Sequence, residues 1–227
     1  MSDEDVSYLI PNVVRSHESN PPEAGTDRVY SLCAYPQEFS SNDAGDYRIP
    51  SIELVNEDGS YAFVGKYHSH KIYPGKYRLE TLPTLFAKED EKVVTLEIVL
   101  ADEVTNVMVK LLYGVYYDKD VITRSAVLIN GSNGTVQLQR FMSASIDFMT
   151  CDYDLIDLYG HHYFERQTER KSLTHGVHEL GSFRGVSGHF HNPFAIICDN
   201  SADEDSGDAY GFALMYSGNF VFGVEVD

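Results

Sequence analysis

Apolar and polar residues alternate with a period of two along most of the chain after Pro50. Successive side chains of a strand point to opposite faces, so this alternation marks half-buried β-strands. "TLEIVL" sets Leu96, Ile98 and Leu100 on one face, and "VMVKLLYGVYY" continues with Val107, Val109, Leu111, Tyr113, Val115 and Tyr117. Two other pairs of runs flank turn signals. "SIELV" and "YAFVGKYHSHKIY" lie on either side of "NEDGS", and "VITRSAVLI" and "TVQLQRFMSASIDF" on either side of "NGSNG". Asp-Gly and Asn-Gly steps supply the positive φ of tight turns, so each pair of runs predicts a hairpin. Further strands are predicted at "YDLIDLYG", "GVHELGSF" and "AIICD" and across "AYGFALMYSGNFVFGVEV".

Before Pro50 the chain is broken by turns and polar runs and predicts one short strand near "RVYSLCAY". No segment carries three capped turns of helical periodicity. Recurrent turn signals without an internal repeat predict an all-β fold, a large antiparallel sandwich or barrel. No Gly-, Ser- or Pro-rich linker divides it. The final "FVFGVEVD" reads as a strand in a hairpin with no closing turn, which would leave an unpaired edge. The chain is therefore expected to be a piece of something longer.

Charge narrows the partners. Of 227 residues, 35 are acidic and 17 basic, giving a formal net charge of −18. Such a surface repels phosphate backbones and anionic lipid, so neither nucleic acid nor membrane is an expected partner, whereas a neutral sugar is compatible. Tryptophan, the best flat face for a sugar, is absent. The cysteines Cys33, Cys151 and Cys198 form no CxxC pair and read as reduced, buried thiols. The acidic opening "MSDEDVSYLIPN" has no apolar core of a signal peptide, and a cytoplasmic protein is expected.

Candidate chemistry is sparse. His189 and His191, two apart in "RGVSGHFHNPF", would share a face if they lay in one strand, with Glu165, His178 and His162 as further metal ligands. The plainer reading is that one histidine caps a loop and the other packs beside Pro193 with its ring nitrogens on backbone groups. Asp152, Asp154 and Asp157 crowd one stretch, but carboxylate pairs for glycoside hydrolysis need a set spacing across a cleft. Ion pairs with Arg166 and Arg170, or simple solvation, explain them better. "DNSADEDSGD" misplaces the glycine of a calcium loop and reads as a solvated hairpin tip. The sequons at Asn130 and Asn133 read as positive-φ turn residues.

The wording of several segments is more specific. "GDYRIP" (45–50), "DVITRSAVL" (120–128), "MSASIDF" with "YDLIDLYG" (142–160), "GSFRGVSGHFHNPF" (181–194) and "DAYGFALMYSGNFVFGVEVD" (208–227) occur in this order. Together they resemble the N-terminal domain of the α-galactosidases of glycoside hydrolase family thirty-six, from about Asp27 to the last residue. The resemblance implies a large antiparallel β-supersandwich, incomplete at both ends, over residues 27–227, behind a loop-rich segment over 1–26.

It further implies that the sandwich precedes a barrel bearing both catalytic aspartates of a retaining hydrolysis of terminal α-galactosides such as raffinose or melibiose. No catalytic residue, cofactor or metal is then expected in this chain. The implied partners are the downstream barrel, α-galactoside sugars and, in a tetramer, further copies. The family lends a few sandwich residues to the rim of the sugar site. Arg28, in "GTDRVYSL", matches its arginine, whose planar fork donates to sugar hydroxyls. His162, in "GHHYFER", stands where the family has a tryptophan, and Val14 where it has an aspartate. His189 and His191 fall in a motif the family carries without metal. A stand-alone sugar-binding sandwich is the competing reading.

Overall fold

The computed structural model describes residues 36–41, 46–89, 91–148 and 150–226. Arg28, Val14, Cys33 and the strand predicted near "RVYSLCAY" lie outside them. Among the described residues there is no helix. All ladders are antiparallel, and the chain divides into two compact units.

The first unit takes in the described residues up to 77 and those within 86–148. It contains β1 (Ile52–Val55), β2 (Lys66–Pro74), β3 (Val93–Ala101), β4 (Val107–Tyr116), β5 (Val121–Asn130) and β6 (Gln137–Phe141). Strands β2 to β5 form a four-stranded meander in sequence order, while β1 pairs with β6. Both turn signals are therefore turns, but the strands beside them exchange partners. At "NEDGS" the Asn56 and Gly59 amides close the turn onto Ser60 O and Asn56 O, with Gly59 at φ +82°. Its flanking strands go to different sheets.

The two sheets of this unit enclose one core: Phe39, Ile52, Leu54, Phe63, Leu100, Val107, Val109 and Leu111. Phe141 of β6 meets Phe39 edge-on at 5.8 Å. Burying side chains of this size stabilises by roughly 1.5–3 kcal/mol each. The alternation in β4 holds for half its length and then changes face. Val107, Val109 and Leu111 are wholly buried, whereas Val115 is 41 % and Tyr117 77 % exposed. Beyond Leu111 it is the opposite row, Leu112 and Tyr116, that is buried.

Length explains the change. The ten residues of β4 outrun the short β1–β6 sheet, and the chain after β2 covers the other face instead. There Tyr77 donates from its amide to Thr95 Oγ1 (3.1 Å) and shares a hydrogen bond with Ser125 Oγ (2.9 Å).

The second unit takes in residues 78–85 and the chain after 149. It contains β7 (Tyr153–His161), β8 (Phe164–Ser172), β9 (Gly176–Ser182), β10 (His191–Asp199), β11 (Ala209–Ala213) and β12 (Phe220–Val226). The order β11-β10-β7-β8 makes one sheet and β12-β9 a second. Phe212 and Phe222, at 5.4 Å, bring the two sheets into contact. Strand β8, "FERQTERKS", has no apolar alternation and is exposed at every residue, so no hydrophobic pattern marks it. Its strand form comes from pairing with β7. The predicted run over 209–226 is two strands, β11 and β12, with a loop between them.

Candidate functional site: the β7–β8 tip and the loop before β10

The β7–β8 hairpin turns over two residues, His162 and Tyr163, between His161 and Phe164, which pair. Tyr163 adopts φ +72° and Arg166 +58°, which strands seldom tolerate outside turns and bulges. Gly160, at φ +150°, packs against Phe164 O in space that any β-carbon would invade. The glycine of "YDLIDLYG" is thus required by backbone approach.

The tip displays rings. His162 has 76 % of its side chain exposed, lies 4.1 Å from the Tyr163 ring between centroids, and has Nδ1 3.7 Å from Glu165 Oε1. His161 meets Phe164 edge-on at 5.1 Å. The Tyr163 amide donates to Glu165 Oε1 (3.0 Å). The backbone amides of Glu165 itself and Tyr163 hold the Glu165 carboxyl below its ordinary value, and the fields of His189 and His161 add to this.

The loop before β10 is bound to this tip. Gly160 N donates to Phe190 O (3.4 Å), and Arg184 lies over the Phe190 ring at 3.7 Å, a cation–π contact. A second set of bonds fixes the loop itself. Ser182 Oγ donates to Val186 O (2.7 Å), Gly185 N to Asn219 Oδ1 (2.6 Å) and Ser187 N to Ser217 O (2.8 Å). The motifs "GSFRGVSGHFHNPF" and "YSGNF" are joined in this way.

His189 and His191 do not share a strand. His189 and Phe190 form a turn closed by the Gly188–His191 bridge, and only His191 opens β10. The same-face premise of a metal pair fails for that reason. His178 is engaged elsewhere, its Nε2 at 2.8 Å from Thr174 O. Among the described residues no three or more His, Cys, Asp or Glu side chains gather as a metal-binding set.

The aspartates serve structure. Asp154 accepts Arg170 Nε (2.6 Å) and Ser172 Oγ (2.8 Å), and Asp157, 3 % exposed, faces Lys171 Nζ at 3.8 Å. Asp157 shares Lys171 with Glu169, whose Oε2 lies closer, at 2.8 Å. Of the cysteines, Cys198 is buried but Cys151 is exposed, because Cys151 precedes β7 instead of lying within it.

What these elements can do chemically is bind. Aromatic faces at Tyr163, Phe164 and Phe190, with imidazole and guanidinium donors beside them, suit the C–H faces and hydroxyls of a neutral sugar. His162 was legible in the sequence. Tyr163, Arg184 and Phe190 were not, since no sequence spacing announces that two distant loops meet.

Comparison with known proteins identifies this class. Residues 7–227 match the glycosyl hydrolase family 36 N-terminal domain. The chain belongs to that family. It is 42 % identical over 222 residues to the bifunctional alpha-galactosidase/sucrose kinase AgaSK of Mediterraneibacter gnavus, covering 98 % of this chain and 24 % of that protein. The crystal structure of a doubly substituted variant of the alpha-galactosidase AgaA from Geobacillus stearothermophilus in complex with raffinose superposes with a TM-score of 0.90 and 39 % identity, over 100 % of this chain and 31 % of that one. A complex of another doubly substituted AgaA variant with stachyose gives 0.89 and 40 %, over 96 % and 30 %. The chain thus spans about a quarter to a third of the length of these relatives, and its fold is their antiparallel N-terminal sandwich.

Proposed function

We propose that this chain is the non-catalytic N-terminal part of an enzyme that hydrolyses terminal α-galactosides, with the chemistry in a catalytic barrel outside these residues. The observation that carries the reading is coverage. Nearly all of this chain aligns with about a quarter of a bifunctional alpha-galactosidase/sucrose kinase. Raffinose and stachyose, bound by AgaA, are the substrate class proposed here. Assembly as a tetramer belongs to the same reading.

Sequencing the source transcript past the codon for Asp227 tests it. An open frame continuing into a barrel with two aspartates at its strand ends supports the proposal, and a stop codon overturns it. The second reading, a stand-alone sugar-binding sandwich, is favoured by one observation, the exposed ring cluster at the β7–β8 tip. Here Arg28 and His162 are the proposed sugar contacts. Titration of the chain with raffinose would show heat that Arg28→Ala and His162→Ala each reduce, and no heat with the unaltered chain would sink this reading.

A further inference from the structure

The loop between β5 and β6, "NGSNGT", has no part in the sugar reading, yet its two Asn-Gly steps are held very differently. An Asn-Gly step can modify itself. The glycine nitrogen attacks the asparagine Cγ, a new C–N bond forms, and the side-chain nitrogen leaves as ammonia. Solvent water then opens the cyclic imide at either carbonyl, giving aspartate or isoaspartate. The step needs a free glycine N–H and an asparagine side chain that can swing towards it. Glycine suits it because no Cβ obstructs the approach.

Asn130 meets neither condition. Its Oδ1 accepts from Ser132 N (3.0 Å) and Ser132 Oγ (2.6 Å), and its Nδ2 donates to Gly134 O (2.9 Å). The nucleophile is occupied as well, since Gly131 N donates to Asn106 O (3.1 Å) while Asn106 Nδ2 donates to Gly131 O (2.5 Å). This network, not positive φ at either asparagine, makes the turn.

Asn133 differs at its side chain. Both asparagines are exposed, but the Asn133 side chain makes no hydrogen bond among the described residues. Gly134 N donates to Ser132 Oγ at 3.3 Å, a longer bond than the 3.1 Å one at Gly131 N. The Glu57 carboxylate lies directly against Gly134, in the space a β-carbon would take. A base therefore stands beside the attacking residue.

We infer that Asn133 is a self-modification site, converting to aspartate and isoaspartate through attack by the Gly134 nitrogen with Glu57 accepting its proton, while Asn130 is protected. The product adds a negative charge beside Glu57 and, as isoaspartate, an extra backbone methylene at the mouth of β6. The inference stands apart from the α-galactosidase reading.

The test is to age the folded chain at mildly alkaline pH and follow both asparagines by peptide mass spectrometry with fragmentation that distinguishes isoaspartate. Each hydrogen bond that must open first slows reaction by up to roughly tenfold. Asn133 should therefore outrun Asn130 by at least about tenfold in the folded chain, and the two should converge in denaturant. Glu57→Gln should slow Asn133 and leave Asn130 unchanged, and Ser132→Ala should speed Asn130. Equal rates in the folded chain, or a rate at Asn133 that Glu57→Gln does not move, would overturn it.

Discussion

Asp102 shows how one side chain can hold a turn. Its Oδ1 accepts Val104 N (2.8 Å) and Thr105 N (3.3 Å), and its Oδ2 accepts Val64 N (3.0 Å). Burial alone would push its carboxyl up, but these backbone donors outweigh it and hold the group below its ordinary 3.8. A depressed native value means that the stabilisation is complete above the unfolded value and is lost as pH falls through the lower native one. Asp102→Ala leaves N–H groups without partners and should cost about 2–3 kcal/mol in urea unfolding at neutral pH. The loss should shrink in acid, where the parent gives up the same bonds.

Lys76 has the opposite sign. Its stem lies across Gly114, its ammonium sits 3.0 Å from the centre of the Tyr77 ring, and burial pushes it down to about 8 from 10.5. Between those two values the unfolded chain holds a proton that the folded chain has lost, so stability should rise with pH there. Lys76→Met keeps the stem and should flatten that rise in thermal melts taken across the window.

At the scale of elements, Arg170 on the edge strand β8 binds the acidic tip between β10 and β11. Its Nη1 donates to Ala202 O (2.7 Å) and its Nη2 to Asp199 O (3.1 Å) and Asn200 O (3.0 Å), while Nε holds Asp154. Ser172 and then Arg170 hold the Asp154 carboxyl below its ordinary value. A lysine in its place keeps the charge and loses the planar fork. Arg170→Lys should raise amide exchange over 199–208 roughly tenfold, with the melting temperature nearly unmoved. An unchanged exchange rate would assign the tip's order to its own turns, where Asp203 Oδ1 accepts from Asp205 N and Ser206 N.

Elements of this molecule are legible in the sequence where one face is buried and illegible where neither is. Alternation marks β3, β4 and β7, and turn residues mark the loops. Strand β8 is polar on both faces, so only its partner makes it a strand. Pairing is less legible still. "NEDGS" and "NGSNG" both turn the chain, yet β1 and β6 find each other, because burial of Ile52 and Leu54 against β4 outweighs the hairpin that proximity favours. The site follows the same division. His162 is visible through its motif, but Arg184 and Phe190 come from a loop that only the fold brings to Gly160 near the end of β7.

For the whole molecule, the proposed function makes this chain a support for chemistry placed outside its residues. Purified to homogeneity, it should release no galactose from raffinose, and turnover that persists through purification would overturn this. The net charge of −18 adds a control. A neutral sugar leaves no counterion to displace, so any binding should keep the same affinity across a wide range of salt. Steep salt dependence would mean that the ligand measured is charged.

The pairing of β1 with β6 also sets an order of events in time. Strands β2 to β5 are neighbours in sequence and can zip as local hairpins, whereas β1 must await a strand that lies beyond all four. Closing so long a loop is entropically slow until the intervening chain is organised. The two-stranded clasp is then the last part to form and the first to open. Leu54→Ala should speed unfolding far more than it slows folding, and a protease probing the native state should meet β1 and β6 while β3 and β4 remain closed to it.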